Sequence, residues 1–181
     1  MNLTEKTISS KTVYEGKILT VRQDTVLLPD GKQAQRDLVR GNGAVTVLPV
    51  DENGCTYLVR QYRYAAGQEL LEAPAGKLEA GEDPDPCAAR ELREETGFAA
   101  GRMVKLGTVY ATPGYSNELL HLYLALDLTQ VGACPDEDEF LMLEKTALSR
   151  LKDMVMQGEI HDCKTAAIVM MAWEYLKGAA L

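Results

Sequence analysis

The sequence has few features of a zinc protein, a disulfide-bonded protein or a membrane protein. Its four cysteines include no C-x-x-C pair, so we expect neither a zinc site nor a disulfide framework. No apolar run approaches the roughly 20 residues that cross a bilayer, and the polar first residues lack the apolar stretch of a secretory signal. We therefore expect a cytoplasmic protein with no membrane partner and with reduced cysteines: Cys55, Cys87, Cys134 and Cys163.

Positive charge is also scarce. The chain has 19 lysines and arginines against 27 aspartates and glutamates, which gives a formal net charge of −8. Excess negative charge repels polyanions and argues against DNA or RNA as a partner. It would equally oppose a phosphate-bearing substrate unless divalent cations lie between the two. The chain does have 46% hydrophobic residues in its 181 residues, enough for the sizeable core of a soluble globular protein.

Strand patterns broken by turns occupy residues 12–63. The segments at 29–31 and 51–54 carry the Pro, Asp, Asn and Gly residues typical of turns. Between them, the apolar run at 44–50 predicts a buried strand, and residues 55–60 are the predicted hairpin partner of that strand. Strand patterns return at 106–111 and 119–127.

Three helices are predicted. Residues 83–96 have Pro only in the first turn, several acids near the start and Gly97 at the end, which indicates a helix of about three turns. Two further helices are predicted at 146–157 and 162–177 from their apolar periodicity. The last helix should direct five residues toward a core: Ala166, Ala167, Val169, Met170 and Trp173.

The first predicted helix concentrates negative charge on one face. At about 100° per residue, Glu91, Glu94 and Glu95 fall within an arc of about 100°. Such like charges destabilise a bare helix by about a few tenths of a kcal/mol, so the arrangement costs stability unless a cation lies over it. Oxygen ligands without nearby Cys or His favour Mg²⁺, or Mn²⁺ as a substitute, over zinc. A solvated acidic face is the alternative.

The spacing around these glutamates argues against that alternative. Residues 76–98, GKLEAGEDPDPCAARELREETGF, resemble the Nudix box, G-x5-E-x7-R-E-U-x-E-E-x-G-U with U bulky and apolar, at every specified position. The resemblance implies that Glu91, Glu95 and the backbone carbonyl of Ala75 bind metal. It also implies that Glu94 adds a ligand or a water contact, and that Arg90 steadies the site by pairing with an acid such as Glu82.

The flanks of the box are similar to the ADP-ribose pyrophosphatase subgroup, through ELLEAPAG at 69–76 and TPGYSNE at 112–118. This resemblance implies four substrate contacts: Tyr14, Arg36, Arg63 and Glu118. The two arginines would hold phosphate or ribose, and Glu118 would accept hydrogen bonds from ribose hydroxyls. Tyr14 would stack on adenine, with ordinary packing of a strand tyrosine as its alternative.

The acidic loop at 135–139, PDEDE, is a candidate source of the general base. Four consecutive acids usually signal only a solvated turn, but a metal cluster also needs a group that takes a proton from the attacking water. By resemblance, Glu137 fits this base and Glu139 a further metal ligand, on a loop that closes over substrate.

Together these patterns predict an α/β/α Nudix sandwich, a mixed sheet between helices, preceded by a small antiparallel N-terminal β-sheet. Residues 1–41 are expected to form a β-rich segment for dimerisation and substrate binding, and residues 42–181 the Nudix domain. By resemblance the chain is a homodimer that hydrolyses ADP-ribose to AMP and ribose 5-phosphate with Mg²⁺. The alternatives are hydrolysis of another nucleoside diphosphate sugar, such as GDP-mannose, or of an oxidised nucleotide, and a non-catalytic ADP-ribose sensor, against which the intact box counts.

Overall fold

The structure, a computed structural model, describes residues 2–133 and 140–179. Within these residues the chain forms ten strands and three helices. The strands are β1 (Lys6–Glu15), β2 (Thr20–Leu27), β3 (Gln33–Arg40), β4 (Ala44–Pro49), β5 (Cys55–Arg63), β6 (Gln68–Glu72), β7 (Ala75–Lys77), β8 (Phe98–Tyr110), β9 (Leu119–Gln130) and β10 (Leu141–Ala147). The helices are α1 (Pro84–Thr96), α2 (Leu148–Met156) and α3 (Cys163–Ala179). No helix among the described residues is long and apolar enough to cross a membrane.

The chain divides into two compact units, of which the first comprises Met1–Gly43 and Tyr110–Leu119. Its strands form one antiparallel sheet in the order β1-β2-β3. The later segment joins this unit through backbone hydrogen bonds, since the Val39 N–H donates to the Tyr115 carbonyl at 2.8 Å. The predicted antiparallel N-terminal sheet is therefore confirmed.

The second unit, Ala44–Val109 with Leu120–Leu181, contains two sheets. One has the order β10-β5-β6 and the other the order β7-β4-β9-β8. Strand β4 pairs antiparallel with β7 and parallel with β9, so this sheet is mixed, as predicted.

Strand β4 is the centre of the second unit. Every one of its residues is buried, and alternate side chains of a strand point to opposite faces, so both faces of β4 need cover. Helices α1 and α3 both contact it. On one face, Val45 and Val47 share a core cluster with Leu92 of α1 and Tyr123 of β9. The mixed sheet thus lies between helices, which confirms the predicted sandwich.

The predicted hairpin between the apolar strand at 44–50 and residues 55–60 is wrong. Strand β5 pairs with β10 and β6, and within the described residues an isolated bridge joins Thr56 to Val50, just after β4. Since both edges of β4 are occupied, by β7 and β9, no edge is left for β5. The turn itself is as predicted, with the Asp51 carboxylate accepting from the backbone N–H groups of Asn53 and Cys55.

Both predicted C-terminal helices are present with small changes of boundary, but the predicted core face of the second is largely wrong. Residues 146 and 147 belong to β10, and α2 begins at Leu148. In α3 the fully buried apolar residues are Ile168, Val169 and Ala172. Of the five residues that were predicted to face the core, Val169 is fully buried and the others are less so.

Candidate active site

Helix α1 is fixed at both ends, which sets the direction of its acidic face. At the start, the Asp83 carboxylate accepts from the Asp85 N–H, and Tyr123 donates from its hydroxyl to Asp85 Oδ1 at 2.5 Å. At the end, Gly97 has φ 74°, and a Cβ there would lie 2.7 Å from the Ala133 nitrogen. Position 97 therefore requires a residue that adopts the left-handed conformation and has no Cβ, which is glycine.

The acidic face of α1 is partly buried. Glu91 and Glu95 are only 8% and 4% exposed, and the apolar Ala88 and Leu92 of the same helix are buried with them. The Glu94 side chain is more open, with 31% of its surface exposed. Burying carboxylates is costly unless hydrogen bonds or cations compensate. The three glutamates lie on one face of α1, while their role as metal ligands stays a prediction.

The strand β7 and the turn before it pack against these carboxylates. A Cβ on Gly76 would lie 1.9 Å from the carboxyl carbon of Glu91, so only glycine permits this approach. The Ala75 N–H donates to Glu95 Oε2 at 3.0 Å, and the Val47 N–H of β4 donates to the Pro74 carbonyl at 2.8 Å. The fold thus brings the backbone of residues 74–76 together with the two buried glutamates.

Arg90 pairs with carboxylates of this face. Its Nη1 lies 2.8 Å from both Glu91 Oε1 and Glu94 Oε2, and its Nη2 lies 3.4 Å from Glu82 Oε1. Partial burial disfavours the charged guanidinium, but the charge of Glu91 and the hydrogen bond with Glu94 hold the pKa of Arg90 above its ordinary value. Arg90 is therefore a permanent cation that is shared among three carboxylates.

The donor set fits a hard divalent cation. The oxygen donors on this face come from glutamates and from the adjacent backbone, and such ligands suit Mg²⁺ or Mn²⁺. The expectation that no cysteine lies nearby is wrong, because the Cys87 sulfur lies 3.4 Å from Arg90 Nη2. Among the described residues, no three His, Cys, Asp or Glu side chains are arranged as a metal-binding group. Arg90 pairs with one oxygen each of Glu91 and Glu94, and one oxygen of Glu95 accepts from the Ala75 N–H.

Arg63, a predicted substrate contact, lies at the end of β5 and pairs with the buried Glu72. Its Nε and Nη2 donate to the two carboxylate oxygens of Glu72 at 2.7 and 2.6 Å, and Lys164 Nζ donates to Glu72 Oε2. Burial alone would raise the pKa of Glu72, but Arg63 and Lys164 hold it below its ordinary value. The hydrogen bonds to Glu72 raise the pKa of Arg63, and the charge of Glu95 contributes to the same shift.

The other three predicted substrate contacts lie in the first compact unit. Arg36 forms a two-point ion pair with Glu5, at 2.6 and 3.0 Å. Tyr14 is 59% exposed on β1, and its ring lies so close to Gly16 that a Cβ there would be 2.7 Å from the ring. Glu118 is half-buried, and its backbone N–H donates to the Ser116 hydroxyl.

The predicted base Glu137 and the predicted ligand Glu139 both lie outside the described residues, and their roles stay predictions.

Four residues of the second unit that the sequence analysis did not assign lie beside the predicted site: Glu72, Asp162, Lys164 and Thr165. The Ala73 N–H donates to Thr165 Oγ1 at 2.8 Å, and Lys164 pairs with both Glu72 and Asp162. One signal for Glu72 was available, because a charge inside the apolar stretch LLEA at 70–73 needs a buried partner. Nothing local indicated which residues would supply it.

Comparison with known proteins gives two family matches. The NUDIX domain model matches residues 41–161, and the model of the nucleoside diphosphate sugar hydrolase N-terminal domain matches residues 5–39. The chain is 38% identical over 167 residues to an ADP-ribose pyrophosphatase of Bacillus subtilis (strain 168), with 91% of this chain and 90% of the relative covered. It is 39% identical over 178 residues to an ADP-ribose pyrophosphatase of Mycobacterium tuberculosis (strain ATCC 25618 / H37Rv), with 97% and 86% covered.

A solved structure supports the fold. The crystal structure of an ADP compounds hydrolase superposes with a TM-score of 0.86 over 99% of this chain and 98% of that chain. The two sequences are 23% identical, so the likeness concerns the fold alone.

The close contact between β7 and α1 can be tested with Gly76→Ala. The new Cβ overlaps the Glu91 carboxylate, which must leave its buried position. We expect the affinity for Mn²⁺ to fall by about tenfold or more and the free energy of unfolding to fall by about 1–3 kcal/mol. Titration calorimetry and urea unfolding measure the two effects.

Gly107→Ala is the matched control for this change. It also adds a Cβ in a strand of the second unit, but that Cβ meets only the terminal methyl of Met171, at 3.0 Å. The control should bind Mn²⁺ as the parent does. Equal Mn²⁺ affinity in the two variants would contradict the assigned role of Gly76.

Proposed function

Because the chain belongs to the NUDIX family, we propose that it hydrolyses the diphosphate bond of ADP-ribose to give AMP and ribose 5-phosphate. The observation that carries this proposal is the pair of buried carboxylates, Glu91 and Glu95, packed against the backbone of Ala75 and Gly76. The choice of substrate is supported by the two relatives named ADP-ribose pyrophosphatase, which align with at least nine-tenths of this chain.

Nudix hydrolases generally need a divalent metal, and we propose Mg²⁺ for this one, with Mn²⁺ as a substitute. The residues that would hold it are Glu91, Glu95 and Glu139, together with the Ala75 carbonyl. When bound, the ion would neutralise the diphosphate and lower the pKa of the attacking water. Glu94, which is exposed enough to reach solvent, would contribute a further ligand or hold a water molecule.

Arg90 would keep this cluster assembled. It already pairs with Glu82 and Glu94 at the two edges of the acidic face, so it can go on orienting these side chains when a metal takes over the charge of Glu91. Its part is to position the carboxylates and offset their repulsion.

Arg63 would hold a phosphate or ribose oxygen. Two of its nitrogens are used by Glu72, so the guanidinium plane is fixed, and within the described residues its Nη1 group has no hydrogen-bond acceptor from the protein. An arginine oriented in this way can donate to a substrate oxygen without losing much side-chain entropy. Its side chain is 42% exposed, which gives a ligand access.

In the first compact unit, Arg36 would exchange its partner for substrate. The pair with Glu5 is exposed on both sides, at 40% and 36%, and such a pair contributes little stability. A phosphate can therefore replace Glu5 at small cost. Glu118 would accept hydrogen bonds from ribose hydroxyls, and the exposed ring of Tyr14 would stack on adenine.

The substrate and metal proposals are tested together with a panel of ADP-ribose, GDP-mannose and an oxidised nucleoside triphosphate. We expect ADP-ribose to be hydrolysed fastest, with no turnover in excess chelator and recovery when Mg²⁺ is added. Glu95→Gln should keep the fold and lower kcat by at least about a hundredfold, because the amide retains the shape of the side chain but loses the charge. Nucleotide release measures turnover.

Glu174→Gln on α3 is the matched control, since Glu174 is exposed and pairs only with Lys177 among the described residues. It should retain full activity. Turnover in excess chelator, or normal turnover by Glu95→Gln, would disprove the metal assignment, and faster hydrolysis of GDP-mannose would disprove the choice of substrate.

We propose Glu137 as the general base and test it by Glu137→Gln. A lost base should lower kcat by about 10²–10⁴-fold with a much smaller change in KM. Glu139→Gln should in addition raise the Mg²⁺ concentration needed for half-maximal activity, and the neighbouring Asp138→Asn should act like the parent. If Glu137→Gln and Glu139→Gln both turn over normally, the base must be sought at Glu94 or Glu118.

We also propose that the chain is a homodimer that pairs through residues 1–41. Strand β1 is exposed along its whole length and is an edge strand in the sheet that the described residues form, and such strands gain stability from a second chain. Light scattering at micromolar concentration should give about twice 19.9 kDa. A mass near that of one chain would contradict the proposal.

A further inference from the structure

The buried network at the start of α3 lies next to two parts of the proposed active site. Asp162 precedes the helix, and its Oδ2 accepts from the Thr165 N–H at 3.1 Å, from the Thr165 hydroxyl at 2.5 Å and from Lys164 Nζ at 2.9 Å. Thr165 is fully buried, and the Asp162 and Lys164 side chains are each 13% exposed. The first turn of α3 is therefore locked in one arrangement.

The Thr165 hydroxyl connects this turn to the segment 73–75. The hydroxyl hydrogen is donated to Asp162, so the hydroxyl oxygen can accept a hydrogen bond, and it accepts one from the Ala73 N–H at 2.8 Å. The same segment is held at the Pro74 carbonyl by Val47 of β4 and at the Ala75 N–H by Glu95 of α1. Three different elements thus fix three consecutive residues, and α3 supplies the first of these contacts.

Lys164 connects the same turn to Arg63. Glu72 is 1% exposed and binds Lys164 and Arg63 at once, while Lys164 also pairs with Asp162. Two cations therefore balance two carboxylates around the buried Glu72, where removal of one cation leaves a costly excess of negative charge. Without Lys164, Glu72 and Asp162 would both attract Arg63 and compete with a ligand for its guanidinium.

We propose that the first turn of α3 contains two positioning residues of the active site. Thr165, oriented by Asp162, holds the 73–75 segment at the distance from α1 that metal binding needs. Lys164, through Glu72, keeps Arg63 directed toward substrate. The inference rests on the proposed function, because Ala75 and Arg63 matter here only as parts of the active site.

Thr165→Val tests the first half by direct Mn²⁺ titration calorimetry without substrate. Valine keeps the volume but leaves the buried Ala73 N–H without an acceptor, so we expect Mn²⁺ affinity to fall by about tenfold. Thr165→Ser, which keeps the hydroxyl, should restore the parent affinity. Thr56→Val is the matched control, because the Thr56 hydroxyl is equally buried but has no hydrogen-bond partner among the described residues.

Lys164→Met tests the second half with steady-state kinetics. We expect KM for ADP-ribose to rise by about tenfold, with Mn²⁺ affinity unchanged, whereas Lys177→Met on the same helix should change neither. A merely structural role would shift neither quantity or would lower activity and Mn²⁺ affinity together. This variant also decides the proposal if Thr165→Val does not fold.

The outcomes separate this inference from the proposed function. If the parent does not hydrolyse ADP-ribose but Thr165→Val loses Mn²⁺ affinity, the positioning role of Thr165 stands and the substrate assignment fails. If Thr165→Val and Thr56→Val bind Mn²⁺ equally well, or if Lys164→Met leaves KM unchanged, the inference is overturned.

Discussion

The burial of carboxylates in the second unit is the constraint on which the arrangement of the site depends. Glu72, Glu91 and Glu95 are all less than a tenth exposed, and an uncompensated buried carboxylate costs several kcal/mol. Each therefore needs a donor that the fold brings to it. Glu72 receives Arg63 and Lys164, and the Glu95 carboxylate receives the Ala75 N–H.

The negative charge is balanced to different degrees in the ionic cluster around Glu72 and in the cluster on α1. This difference distinguishes a structural network from a proposed binding site. At Glu72, Arg63 and Lys164 balance the charges of Glu72 and Asp162, so this network has no net charge. At α1, Arg90 pairs with Glu82, which precedes the helix, and with Glu91 and Glu94 of the helix, while Glu95 adds a fourth carboxylate. An excess of negative charge held in a rigid, partly buried place attracts a divalent cation.

The central strand explains how these clusters come to be neighbours. Because β4 is buried on both faces, α1 and α3 must pack on it, and the segment 73–75 runs beside it toward β7. The segment consequently meets α1 through Glu95, β4 through Val47 and α3 through Thr165. Core packing that stabilises the sheet also sets the position of the backbone at the proposed metal site.

Local rules in the sequence were sufficient for much of this protein. The cap at Asp83, the left-handed Gly97 and the acidic face of α1 all follow from residues close in sequence. The apolar pattern predicted the strand at 44–50 and the last two helices. Only the tertiary structure decided which strands pair and which side chains contact each other. Strand β5 could not pair with β4 because β7 and β9 occupy its edges, and Arg63 is engaged by Glu72. Thr165 and Lys164 reach residues 92 positions away, and no local pattern encodes such a contact, since it arises only when α3 packs against the sheet.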